Sequence, residues 1–208
     1  VKPRVTVIDY GLGNLHSVVK ALAYVGAEVD LAADPASLNR ADRLVLPGVG
    51  AFADGMAGLR QRGLVEPLQA RAAAGIPLMG ICLGAQLLLS VGEEFGIHQG
   101  LGIIPGRVVR LPLEGVKNPH VGWARLQPPA LRRWEGTPLA DTPPGTWAYF
   151  IHSYHPQPED SADICALAQY DRHPVTAAVA RGRITGFQFH PEKSGQAGLA
   201  MLSKFISD

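Results

Sequence analysis

Cys82 stands at the centre of Gly80-Ile81-Cys82-Leu83-Gly84, where an apolar run over 77–82 gives way to a helical pattern over 83–90. A small–x–nucleophile–x–small stretch at a strand-to-helix junction is the pattern of a nucleophile elbow. The turn is tight, so its neighbours must carry almost no side chain, and glycine meets that demand. A thiol in this place projects above the strand end, at the positive end of the next helix. That field favours the thiolate, the form that attacks a carbonyl carbon. The plain alternative is a buried structural cysteine, which the paired glycines argue against.

A cysteine nucleophile needs a base. Among seven histidines, His190 is distinguished by its context, Gly186-Phe187-Gln188-Phe189-His190-Pro191-Glu192. Residues two apart on an extended segment point to the same side, so Glu192 can orient the His190 ring and favour its charged form. Pro47-Gly48-Val49-Gly50 follows an apolar stretch and has little bulk. Such a loop can present backbone N–H groups to a developing oxyanion, or be an ordinary strand-to-helix turn. His152-x-x-His155 has no third ligand in reach of the pattern, so no metal site is expected there.

These residues require elements that place them at one end of a sheet. β-Branched residues over 4–9 read as a buried strand. After the turn at 10–14, Leu15, Val18, Val19 and Leu22 line one face of a helix that Asn14 or Ser17 could cap. Gly11-x-Gly13 invites a dinucleotide reading, but the third glycine of that fingerprint would fall at His16. Strands follow over 27–32 and 43–46, with Asp34-Pro35 as the start of a helix. Helices over 53–62 and 64–74 lead into the strand ending at Cys82. This alternation predicts an α/β fold: a mostly parallel twisted sheet covered by helices.

The second half changes character. Short strands are expected over 106–111, 121–126, 147–152, 162–169, 175–181 and 183–189, forming an antiparallel extension on one side of the parallel sheet. Proline-rich stretches over 126–144 and 156–160 read as surface loops. A helix over 195–206 closes the sheet. No repeat or linker is visible, so residues 1–208 read as a single domain.

Composition narrows the function classes. Hydrophobic residues make up 47% and charged residues 18% of 208, which excludes a disordered chain. A net charge of +1 leaves no electrostatic footprint for nucleic acid. No apolar run reaches membrane-spanning length, and no leader pattern opens the sequence. Cys82 and Cys165 are too few for a disulfide scaffold, so a cytoplasmic setting is expected. Trp123, Trp134 and Trp147 could be interface anchors or core residues of the extension.

The stretch 80–86, with 47–50 before it and 190–192 after it, resembles the class I (triad) glutamine amidotransferases. Four further stretches, 9–15, 119–123, 149–154 and 189–195, resemble one branch of that class, the glutaminase subunits of imidazole glycerol phosphate synthases in histidine biosynthesis. The resemblance spans the chain; Ala85 stands where the family commonly has Met. It implies a class I amidotransferase fold and a Cys82–His190–Glu192 triad that hydrolyses glutamine. It further implies an oxyanion hole from Val49, Gly50 and Leu83. Gln86 and Glu94 (or the adjacent Glu93), with backbone at Ser153 and Tyr154, would hold the α-amino and α-carboxylate end. Asn14, Trp123, Tyr149 and Lys193 would face a (β/α)₈ barrel cyclase that receives the ammonia in a heterodimer. Neither metal nor other cofactor is implied. A stand-alone cysteine hydrolase, a non-catalytic regulatory subunit and a glutaminase serving a pyridoxal phosphate synthase are the competing readings.

Overall fold

The computed structural model describes residues 2–111, 118–129, 134–171 and 173–208. The first half runs β1 (Arg4–Ile8), α1 (Leu15–Tyr24), β2 (Glu28–Ala32), α2 (Pro35–Asn39), β3 (Leu44–Gly48), α3 (Phe52–Gln61), α4 (Val65–Ala73) and β4 (Leu78–Cys82). Local chemistry sets its boundaries. Asn14 caps α1, its side-chain oxygen accepting from the Ser17 amide at 3.4 Å. Asp34 caps α2 by accepting from the Ser37 amide at 3.0 Å, with Pro35 preset for the first turn.

After β4 come α5 (Leu83–Leu87), β5 (Leu89–Gly92), β6 (His98–Gln99), β7 (Ile104–Arg110), β8 (His120–Gln127), β9 (Trp147–His152), β10 (Tyr154–Pro158), β11 (Ile164–Tyr170), β12 (His173–Arg181), β13 (Ile184–Phe187) and α6 (Gly195–Ser207). Nine strands form one sheet in the order β2-β1-β3-β4-β13-β12-β11-β8-β9. The strands from β2 to β13 are parallel, and β12, β11, β8 and β9 continue antiparallel. The α/β class with its antiparallel extension is therefore as expected. Period-two alternation deals side chains to both faces. Val5, Val7, Val45, Met79 and Ile81 pack with α1 and α6, whereas Ile8, Leu44, Leu46 and Leu78 pack under α2 to α5.

Four expectations need correction. The helix expected over 83–90 ends at Leu87, and Leu89 already belongs to β5. The strand over 106–111 does not join the large sheet; as β7 it lies in a second sheet, ordered β10-β7-β5-β6. Apolar alternation marks a strand but not its partner, and here the partner is the strand that α5's early end releases. The stretch 156–160 is only in part a loop, because Pro156 and Pro158 lie in β10. That strand is the edge of the second sheet, where a missing N–H costs no ladder bond. Nor is 126–144 a surface loop throughout. Trp134 is only 5% exposed, Thr137 and Leu139 are buried, and the indole N–H donates to the Cys165 carbonyl at 2.9 Å. Trp134 is thus a core residue, whereas Trp147 is 48% exposed beneath the Arg125 guanidinium. Residues 130–133 of that stretch lie outside the described residues.

Candidate active site

Cys82 ends β4 with φ 55° and ψ −110°, a conformation that L-residues adopt only under strain. Such backbone costs of the order of 1–3 kcal/mol and persists where its surroundings over-determine it. Those surroundings are the two glycines. A β-carbon at Gly80 would lie 2.7 Å from the Ala85 backbone, and one at Gly84 would collide with the Leu46 carbonyl. The elbow can therefore press against β3 and its own helix only because both side chains are absent. Cys82 is left 7% exposed at the floor of a cleft of about 250 Å³.

Strand register brings the partners alongside. Gly48 pairs with Cys82 across β3 and β4, so the loop through Val49 and Gly50 leaves the sheet beside the thiol. Phe187 pairs with Ile81 across β13 and β4, so the chain beyond β13 emerges at the same end and carries His190 to Cys82. His190 Nδ1 lies 2.8 Å from Glu192 Oε1, both side chains almost fully buried. Burial alone would lower the His190 pKa, but hydrogen bonding and charge from Cys82 and Glu192 outweigh it, raising it to about 9. The imidazole is thus cationic at neutral pH. The turn carrying it is tied to β9: the His190 amide donates to the Tyr149 carbonyl, and the Ser194 hydroxyl accepts from the Tyr149 amide.

The remaining anticipated residues divide into two groups. Val49, Gly50, Leu83, Gln86, Glu94, Ser153, Tyr154 and Lys193 line the cleft together with Cys82 and His190. Gln86 is buried and donates to the Tyr154 carbonyl at 3.0 Å and to Gln188 Oε1 at 2.9 Å. Of the two adjacent glutamates, Glu94 lines the cleft and accepts from the Phe52 amide at 2.8 Å, at the start of α3. Glu93 instead pairs with Arg107 at 2.6 Å. Asn14, Trp123 and Tyr149 lie outside the cleft. Asn14 is engaged as the α1 cap, and the rings of Trp123 and Tyr149 meet edge to face at 5.6 Å across β8 and β9. Beside them Val121, Trp123 and Ile151 are exposed, as is Val49 at the rim.

Two cleft-side residues escaped sequence reasoning. Gln188 is fully buried, bonds to Gln86, and places its amide nitrogen 3.8 Å from Cys82 Sγ. Gln188 lies in the bend between the end of β13 and His190, so strand alternation could not have assigned its side. Tyr10 is also buried, with its hydroxyl packed against Gly48 and unbonded among the described residues. Burial, then the nearby Cys82, raises its pKa. Nothing in the turn's glycine-rich sequence announces a buried tyrosine under the 47–50 loop.

A cysteine on a strained elbow, a carboxylate-bound imidazolium beside it and a glycine loop at its flank define a site for acyl transfer from an amide. The chain belongs to the class I glutamine amidotransferases, whose family profile, Glutamine amidotransferase class-I, matches residues 6–208. Solved structures share the fold at low identity. PurLQS from Thermotoga maritima superposes with a TM-score of 0.78 at 20% identity, covering 100% of this chain and 99% of that one. Within the class, relatives in sequence include imidazole glycerol phosphate synthase subunits HisH. That of Synechococcus elongatus is 47% identical over 208 residues, covering 99% of this chain and 93% of its own. That of Symbiobacterium thermophilum is 47% identical, with coverage of 97% and 92%. HisH 1 of Legionella pneumophila (strain Lens) is 43% identical, with coverage of 97% and 98%.

Proposed function

We propose that this chain, acting as one domain over residues 1–208, is the glutaminase subunit of an imidazole glycerol phosphate synthase. It hydrolyses glutamine to glutamate and ammonia in the cytoplasm and passes the ammonia to a (β/α)₈ barrel cyclase in a heterodimer. The cyclase makes imidazole glycerol phosphate and aminoimidazole carboxamide ribotide in histidine biosynthesis. The observation that carries this reading is the strained Cys82 backbone next to a His190 ring held by Glu192.

In the proposed reaction the Cys82 thiolate attacks the side-chain amide carbon of glutamine, forming an S–C bond and an oxyanion. The Leu83 amide and a donor from the Val49–Gly50 peptide face that oxyanion. His190 gives its proton to the departing nitrogen as the C–N bond breaks, leaving a γ-glutamyl thioester and ammonia. Water then attacks the thioester with His190 as base, the S–C bond breaks, and glutamate leaves. Glu192 orients the ring and stabilises its charge throughout. Gln86 and Glu94, with backbone at Ser153 and Tyr154, hold the α-amino and α-carboxylate end. Asn14, Trp123, Tyr149 and Lys193 face the cyclase, and the exposed side chains of β8 and β9 supply its apolar contact.

Cys82→Ala should abolish glutamine-dependent synthesis by the complex, a loss of about 10⁵-fold or more, while ammonia-dependent synthesis continues. Glu192→Ala should cost less than His190→Ala, because it orients a reacting group rather than reacting. The assay is glutamate release alongside imidazole glycerol phosphate formation. Appreciable glutamate release by the alanine variant at position 82 would refute the triad.

A further inference from the structure

His120 and His152 are both buried, and neither belongs to the triad. They face each other in register across β8 and β9, with His120 Nδ1 3.1 Å from His152 Nε2. His152 Nδ1 lies 2.9 Å from the Tyr154 carbonyl. A carbonyl only accepts, so His152 Nδ1 carries its proton. Burial lowers the pKa of His120 to about 4 and that of His152 to about 3, so both rings are neutral at physiological pH. A neutral ring has one N–H. His152 Nε2 is therefore bare, and the proton between the rings sits on His120 Nδ1.

The resulting chain has one direction. His120 donates to His152, and His152 donates to the Tyr154 carbonyl. That same carbonyl accepts from Gln86, which also donates to Gln188 beside Cys82. His120 is held in turn by its neighbours, stacked on Phe150 at 5.1 Å and on Tyr170 at 4.0 Å. The Ser153–Tyr154 turn is where the chain passes from the nine-stranded sheet to the second sheet, and it walls the cleft. The Leu111 amide holds the Ser153 carbonyl at 2.9 Å and Tyr154 pairs with Arg110 in the second sheet, while the Tyr154 carbonyl is met by the side chains of Gln86 and His152.

We propose that His120 and His152 are positioning residues whose directed N–H relay holds the Tyr154 carbonyl, and with it the wall that binds the backbone end of glutamine. This rests on the glutaminase reading above and adds two residues to it. A donor at the His120 Nδ1 position is the requirement. Without it, the buried His152 Nε2 lone pair has no donor, and the ring loses the contact that fixes its angle and so the aim of its Nδ1–H at the Tyr154 carbonyl. Asparagine carries an N–H at the equivalent side-chain position, whereas leucine carries none.

The experiment measures glutamate release by the complex with the liganded cyclase, together with ¹⁵N spectra of the imidazoles. His120→Leu should raise KM for glutamine by about tenfold or more, with kcat changed by less than about threefold. His120→Asn should restore most of the KM. The wild-type spectrum should show His152 protonated at Nδ1 with Nε2 hydrogen-bonded, and the leucine variant should move the Nε2 resonance to that of an unbonded ring nitrogen. An unchanged KM in a folded His120→Leu variant would overturn the relay, as would a wild-type His152 protonated at Nε2. Should the leucine variant not fold, the wild-type spectrum and the asparagine variant decide the question. Absence of glutamine turnover by the wild-type complex would defeat the glutaminase reading, while the tautomer in the wild-type spectrum still tests the relay.

Discussion

At the scale of single residues, protonation decides what the cleft can do. His190 is buried, yet its pKa is raised to about 9 from 6.5 because Cys82 and Glu192 outweigh desolvation. A raised histidine pKa contributes stability that is complete below about 6.5 and lost as pH rises through about 9. The same deprotonation removes the acid needed for the departing ammonia. Glutamine hydrolysis by the complex should therefore fall with an alkaline limb near pH 9, and stability should decline over the same window. Histidine NMR should find the His190 transition there and find it lowered in Cys82→Ala; a wild-type transition near 6.5 would defeat the ion-pair account. The two glutamates offer a second test. Glu94→Gln keeps an acceptor for the Phe52 amide but removes the charge in the cleft, so it should raise KM for glutamine by about tenfold or more with little change in Tm. Glu93→Gln breaks only a partly exposed pair with Arg107 and should leave KM unchanged. An equal effect of both would remove Glu94 from the site. Cys82 was legible from the glycines around a nucleophile. The closeness of His190 and Glu192 was expected too, but by strand alternation, whereas Pro191–Lys193 form a 3-10 turn that folds Glu192 back onto the ring. Choosing between Glu93 and Glu94 was not possible in sequence, because the side each takes depends on where α3 begins, forty residues earlier.

At the scale of elements, the proposed function places regulation by the partner in the loop after β3. Gly50 has φ 112°, and a β-carbon there would meet nothing within 4 Å, so backbone conformation rather than crowding restricts this position. Rotation of the Val49–Gly50 peptide would exchange a carbonyl for an N–H facing Cys82. One such donor is worth about 10²–10³ in rate. The isolated chain should then hydrolyse glutamine slowly, and the cyclase with its own ligand should accelerate it by at least about 10²-fold. Gly50→Ala should alter the basal rate or the activation while leaving the complex formed. Full turnover by the lone chain would sink this account and favour a stand-alone hydrolase. The parallel half of the fold was legible because each strand there is followed by a helix, the first two with side-chain caps at Asn14 and Asp34. The second sheet was not. Short alternating segments such as β7 and β10 declare their burial but not their neighbours, and pairing β5 with β7 depends on α5 stopping at Leu87.

At the scale of the molecule, the cleft opens beside an apolar strip on β8 and the edge strand β9. Trp123, 51% exposed, packs against Tyr149, whose backbone is bonded to the turn that carries His190. Trp123→Ala should weaken binding to the cyclase by about tenfold or more, measured by titration calorimetry, without lowering Tm; unchanged affinity would place the interface elsewhere. The topology of the large sheet also has a consequence for how the chain is made. β13 is the next-to-last element in sequence, yet it lies in the middle of the sheet, between β4 and β12. As the polypeptide is synthesised, Cys82 leaves the ribosome long before His190, and β4 waits with one edge unpaired. Until the last strand slides into that gap the thiol has no base beside it. A nascent or truncated chain consequently carries the nucleophile without the reaction, and amidase activity appears only when the sheet is closed from the C-terminal end.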